Sequence, residues 1–146
     1  GVVMTSYFDT SILFPSLMTA HPHHRRCTKL LAEARQEGQV TCLSLHSYAE
    51  VYANLTRFPL GDRITPEAAW EALQGLSALM KTITLTEADY QAALSRCAAR
   101  NLVSGVIYDA LHLQAAIQAG AEVLYTANLR DFERLGAGEV VALRGG

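Results

Sequence analysis

Residues 2–13, Val2-Val3-Met4-Thr5-Ser6-Tyr7-Phe8-Asp9-Thr10-Ser11-Ile12-Leu13, decide the reading of the whole chain. Val2 to Phe8 reads as a first strand that ends at Asp9. In open parallel sheets ligands gather outside the carboxyl ends of strands, so an acid at this position faces the ligand side. The competing reading makes Asp9 the cap of the helix beginning Ile12-Leu13, since Asp is among the preferred cap residues. Thr10 and Ser11 follow and can hydrogen-bond that carboxylate or a water beside it.

Working outward, the same strand-then-helix alternation recurs. His21 to Glu37 is helical and closes at Gly38, the residue type favoured just past a helix end. Val40-Thr41-Cys42-Leu43 is a second strand. Ser44 then caps a helix to about Arg57, broken by Pro59 and Gly61. Thr65-Pro66-Glu67 starts a helix to Met80, with a cap, a proline at the first position and an acid in the first turn. Thr82 to Leu85 is a third strand. Thr86 and Asp89 form a capping box for a helix through Arg100. A further helix spans Gly105 to Ala119 and stops at Gly120; Glu122 to Thr126 is a fourth strand and Glu139 to Leu143 a fifth. Such alternation predicts a single α/β domain over residues 1–146, a short and mainly parallel sheet flanked by helices. Gly1-Val2-Val3, ahead of Met4, read as an appended scar.

Composition narrows the function. Half of the 146 residues are hydrophobic and 18% are charged, which excludes a disordered chain and predicts a surface covered by a partner or a second subunit. No apolar run approaches the roughly 20 residues of a membrane span, and no signal peptide is visible, so a cytoplasmic protein is expected. Cys27, Cys42 and Cys97 are odd in number and match no zinc spacing, and are expected to be buried thiols. A net charge of −2 argues against holding nucleic acid by bulk counterion release; any such contact must rest on local Arg clusters and metal ions. His21, His23 and His24 cluster beside Pro22 and are expected to face solvent.

Three further segments carry candidate chemistry. Asp109 lies in the first turn of a helix that is apolar all round and therefore buried. A carboxylate there needs a cation or several donors, so metal ligation and simple pairing with backbone or Arg both fit. Glu50 falls opposite the apolar stripe Leu45, Ala49, Tyr52 and Leu55, beside His46, Asn54 and Arg57. By spacing alone it is a solvated residue, functional only if that polar face lines the same cleft as Asp9 and Asp109. Tyr125-Thr126-Ala127-Asn128-Leu129-Arg130-Asp131-Phe132 follows the fourth strand. Asn128 and Asp131 there can coordinate a metal with support from Thr126, or simply hold a turn. Together the four sites offer the oxygen ligands that a hard cation such as Mg²⁺ prefers, suited to phosphodiester cleavage.

The segments FDTSIL (8–13), SYAEVYANLTR (47–57), YDALHLQAA (108–116) and YTANLRDF (125–132) resemble, in order and spacing, the four signature regions of PIN-domain ribonucleases. The likeness is closest to VapC-type toxins of toxin–antitoxin modules and covers essentially the whole chain. It implies a PIN-like fold and a Mg²⁺- or Mn²⁺-dependent endoribonuclease with Asp9, Glu50 and Asp109 as the metal-binding acids. Asn128 stands where some relatives carry Asp; Asp131 is then expected as an auxiliary catalytic acid, with Asn128 as a hydrogen-bonding partner and Ser11 and Thr126 as auxiliaries. The resemblance also implies a homodimer, an RNA substrate and a cognate antitoxin.

Other classes fit less well. An aspartyl-nucleophile phosphatase wants a second Asp two residues after the first, where Ser11 stands. A receiver-type domain wants an acidic pair before its phosphorylated Asp and a Lys near the fourth strand; neither is evident. An inactive RNA- or protein-binding module is the remaining alternative, and its acids would repel phosphate unless a cation intervened.

Overall fold

Thr5-Ser6-Tyr7-Phe8 forms β1, the middle strand of a five-stranded sheet. The structure, a computed structural model, describes residues 3–57 and 64–145. After β1 the chain runs through α1 (Thr10–Leu17), α2 (His24–Gln36), β2 (Val40–Ser44), α3 (Leu45–Arg57), α4 (Pro66–Leu79) and β3 (Lys81–Ile83). It continues through α5 (Glu87–Ala99), α6 (Val106–Gln118), β4 (Val123–Thr126), α7 (Leu129–Arg134), a 3₁₀ turn (Ala137–Glu139) and β5 (Ala142–Gly145). The strand order is β3-β2-β1-β4-β5, and all four pairings are parallel.

Alternation along the strands divides the core in two. Tyr7, Cys42 and Leu124 point to one face, where α5 and α6 cover them. Phe8, Leu43, Val123 and Tyr125 point to the other, under α1 to α4. Burial on both faces is why these strands read as nearly continuous apolar runs. Phe8 stacks on Tyr125 with centroids 4.7 Å apart, tying β1 to β4.

The local signals act as the sequence implies. Thr65 accepts a hydrogen bond from the Ala68 N–H, and Thr86 with Asp89 makes the full capping box. Gly38 and Gly120 adopt φ of 75° and 67°, the left-handed conformation that ends α2 and α6 cheaply. The three cysteines are buried free thiols.

Several expectations need correction. The fifth strand starts at Ala142, because the 3₁₀ turn runs to Glu139 and Val140 closes it. The segment after β4 is a loop only to Asn128, where α7 takes over. The helix after Pro22 begins at His24, not His21. On α3 the buried residues are Ser47, Val51 and Leu55, whereas Leu45, Ala49 and Tyr52 are exposed. The helix is rotated from the most apolar wheel because α1 and α4, with β2, set which side it buries. The break assigned to Pro59 and Gly61 lies outside the described residues, as do Gly1 and Val2.

Candidate active site

Chain order fixes where a ligand can bind. From β1 the chain builds β2 and β3 to one side, then crosses to β4 on the other. The crevice between the carboxyl ends of β1 and β4 is thus the topological switch point, the usual ligand position in such sheets. Asp9 follows β1 there, and Thr126 to Asn128 follow β4.

A cavity of about 230 Å³ opens at this point, lined by Asp9, Thr10, Ser11, Phe14, Glu50, Asn54, Asp109, His112 and Asn128. Three acids separated by 41 and 59 residues in sequence therefore share one pocket.

Asp9 is both helix cap and pocket-lining residue. It caps α1 by accepting from the Ser11 N–H at 2.6 Å, and it also accepts from the Ser11 hydroxyl. Thr126 donates its hydroxyl to the other carboxylate oxygen at 2.6 Å. Ser11 Oγ in turn accepts from the Ala127 N–H, and Thr126 Oγ1 from the Asn128 N–H. Ser11 and Thr126 thus tie the two strand ends together around one buried carboxylate.

Asp109 sits half-buried in the first turn of α6. Burial raises its carboxyl to about 6, and the negative charges of Asp9, Asp131 and Glu50 add to the rise against a smaller opposing effect of His112. Among the described residues no Lys, Arg or His forms an ion pair with it.

Glu50 departs from the helical-wheel expectation. Its side chain is 27% exposed, and its Oε1 accepts from His112 Nε2 at 2.8 Å. His46 stands 3.7 Å from the same oxygen. Burial pushes this carboxyl up, but the hydrogen bond and charge of His112, with His46, bring it below the ordinary range.

His112 is the site residue that sequence reasoning missed. The ring is 4% exposed; Nδ1 lies 2.7 Å from the Tyr7 hydroxyl and Nε2 3.4 Å from Thr10 Oγ1. Burial opposes charge on it, but Tyr7, the Glu50 hydrogen bond and the charges of Glu50 and Asp9 win and raise its pKa well above the usual value. These partners favour the charged ring, and the Glu50 carboxylate can only accept from Nε2. The available signal was a lone His one turn after Asp109 in an otherwise apolar helix.

Asn128 lines the pocket, but Asp131 does not. Asp131 lies on α7, 3.5 Å from Arg134, and reaches the site through its charge on Asp109.

The donors fit a hard divalent cation held by few protein ligands. Among the described residues no three His, Cys, Asp or Glu side chains close around a single point. Asp9 spends much of its hydrogen-bonding capacity on Ser11 and Thr126, and Glu50 Oε1 is held by His112. What remains for an ion is the set of carboxylate oxygens not engaged by Ser11, Thr126 or His112. That suits an ion which keeps several waters and takes only a few carboxylates, rather than a full protein cage.

A parallel α/β sheet with an acidic pocket at its switch point narrows the class, and likeness to known proteins specifies it. The chain belongs to the PIN domain family, whose profile matches residues 6–138. It is 30% identical over 125 residues to Ribonuclease VapC40 of Mycobacterium tuberculosis, covering 86% of this chain and 87% of that protein. Its fold is that of VapC20 of the same organism, described as a sarcin–ricin-loop-cleaving toxin, with TM-score 0.70 and 18% identity over 95% of this chain and 98% of that one. A chain of a toxin–antitoxin complex from Klebsiella pneumoniae superposes with TM-score 0.62 and 21% identity, covering 87% of this chain and 89% of that one.

Proposed function

We propose that this PIN-domain ribonuclease is the toxin of a type II toxin–antitoxin pair and hydrolyses RNA phosphodiester bonds with Mg²⁺ or Mn²⁺ held by Asp9, Glu50 and Asp109. The observation that carries this reading is the convergence of those three acids, from three separate segments, on one pocket at the switch point. Nucleases of this family depend on metal. The ion supplies charge neutralisation and Lewis acidity toward the phosphate when bound.

The chain's own residues divide the remaining work. Asp9 and Asp109 are the ligands, and Glu50 binds the ion or orients the attacking water. Ser11 and Thr126 fix the Asp9 carboxylate, so its orientation is set before substrate arrives. His112 holds Glu50 Oε1 and leaves that side chain one oxygen to offer the pocket. Asn128 is a hydrogen-bonding partner at the rim, and Asp131 an auxiliary acid acting through its field on Asp109.

Toxin activity implies an antitoxin that covers the site and a cytoplasmic place of work; no helix among the described residues is long and apolar enough to cross a membrane. A homodimer is part of the same proposal. The groove lined by Leu45, His46, Ala49, Ile83, Leu85 and Tyr90 leaves Leu45 57% exposed, an apolar surface for a second copy. Leu45→Glu should then give a monomer in size-exclusion chromatography.

The decisive experiment is metal-dependent cleavage of RNA by the purified protein, with Asp9→Asn and Asp109→Asn alongside. Activity only with Mg²⁺ or Mn²⁺, and lost in both variants, is the expected outcome. Full activity in both variants defeats the assignment. An inactive binding module would show neither cleavage nor a specific Mn²⁺ site by calorimetry.

A further inference from the structure

Residues 10–32 contain no Asp or Glu, yet carry His21, His23, His24, Arg25, Arg26 and Lys29. In a chain of net charge −2 whose pocket gathers acids, Arg25 and Arg26 are adjacent cations within this acid-free stretch, while Lys29 pairs with Glu33 at 3.8 Å. Its position follows from the fold. The C-terminal end of α2 leads directly into β2 at the amino edge of the sheet, where the Val40 N–H bonds the Met4 carbonyl. The opposite end of α2, with His24, Arg25 and Arg26, therefore lies toward the carboxyl edge, the edge of the acidic pocket.

Side-chain contacts connect the two. Phe14 lines the pocket, and its ring meets His21 edge-on with centroids 5.3 Å apart. His21 is 5.5 Å from the His23 ring. His24 Nδ1 is 2.8 Å from the Pro15 carbonyl oxygen, which pins the start of α2 to the end of α1. Arg25 and Arg26 are exposed, and among the described residues neither forms an ion pair. Burial raises the thiol of Cys27, Arg26 lowers it and Asp9 raises it, so this turn of α2 lies within electrostatic reach of both groups.

We propose that single-stranded RNA crosses Phe14 and His21 as it leaves the acidic pocket, and that Arg25 and Arg26 hold the phosphates flanking the scissile one. The inference rests on the nuclease reading and adds to it the path of the strand. The physical need is plain: acids repel every phosphate except the one facing the cation, so neighbouring phosphates require their own positive partners. Exposed Arg forks meet phosphate oxygens well, and unstacked bases rest on aromatic and imidazole faces.

The test is fluorescence anisotropy of a labelled oligouridylate in the Asp109→Asn background, with and without Arg25→Gln/Arg26→Gln. A Lys81→Gln/Arg100→Gln pair removes the same charge from elements near the amino edge. Loss of two phosphate contacts should weaken RNA binding about tenfold at 0.1 M salt and flatten the log–log salt slope by about 1.4, while the control pair shifts affinity less than about twofold. Unchanged Mn²⁺ affinity by calorimetry, in the chain with Asp109 intact, shows that the Arg variant is folded and its pocket undisturbed. Equal losses in both pairs, or no loss in the Arg25/Arg26 pair, overturn the proposal. So does loss of antitoxin binding with RNA binding intact, which would make this a protein-docking face. If wild-type protein cleaves RNA and the Arg pair binds normally, only the strand path is wrong. If wild-type protein neither binds nor cleaves RNA, the nuclease reading falls with it.

Discussion

The imidazole of His112 donates to the Glu50 carboxylate at 2.8 Å, joining α6 to α3 from opposite faces of the sheet. Neither residue could hold this arrangement alone. A buried imidazolium without a carboxylate would lose its charge, and Glu50 without a donor would be free to turn toward solvent.

His112→Ala should therefore act through Glu50 rather than through the substrate. We expect Mn²⁺ affinity to fall about 10- to 100-fold, as for other residues that orient a metal-binding carboxylate. Thermal stability should fall by about 1–3 kcal/mol, because Glu50 and the Tyr7 hydroxyl lose a buried partner. His112→Gln, which retains a donor, should recover part of the metal affinity in calorimetry. Unchanged Mn²⁺ binding in His112→Ala would show that the ring only fills space.

Asp109 is the site's stored cost. Its pKa of about 6 lies above that of an unfolded Asp, so the folded protein takes up a proton that the unfolded chain does not. The sign follows: metal-free protein loses stability as pH rises from about 4 through 6. Asp109→Asn should then stabilise the metal-free protein by about 2 kcal/mol at pH 7, discounted for partial exposure, and have little effect near pH 4. The same substitution should abolish cleavage. Urea denaturation at the two pH values checks the first claim; a destabilised variant at pH 7 contradicts it.

Asp131 should act on the site only through its charge. Asp131→Asn leaves the lining of the pocket intact and removes only a nearby negative charge. It should lower the apparent pKa of Asp109 and reduce cleavage by less than about tenfold, far short of the loss in Asp109→Asn. A loss as complete as that of Asp109→Asn would make Asp131 a direct ligand. NMR titration of the side-chain carboxyl carbon of Asp109 measures the shift.

Asp89 gives an acid-sensitive latch away from the site. It accepts from the Thr86 N–H at 2.9 Å and the Gln114 amide at 3.0 Å, and also from Gln118, tying α5 to α6. The Thr86 backbone bond is the largest reason its carboxyl lies near 2, with Gln114 next and burial opposing. Because this pKa is depressed, the stabilisation is complete above the unfolded value near 4 and disappears as pH falls through about 2. Asp89→Asn should cost about 1–2 kcal/mol at pH 7, a penalty that shrinks between pH 4 and 2 when followed by circular dichroism. A pH-independent penalty would mean that shape, not charge, makes the latch.

The sequence alone determined what depends on neighbours within a turn. Thr65-Pro66, the Thr86/Asp89 box, Gly38 and Gly120 set helix ends through hydrogen bonds spanning three to five residues, so they were legible from spacing. The strands around Tyr7, Cys42 and Leu124 were legible because burial on both faces demands uninterrupted apolar runs. Asp9 was visible as an acid at a strand end.

Tertiary structure decided the rest. Which side α3 buries depends on α1, α4 and β2, so the most apolar wheel gave the wrong stripe and placed Glu50 in solvent. His112 looked like part of an apolar helix until Glu50, Tyr7 and Thr10 surrounded it. The pocket joins carboxylates 41 and 59 residues apart, and their mutual repulsion exists only once the sheet brings them together. Electrostatic energy depends on distance through space, which a linear pattern does not contain.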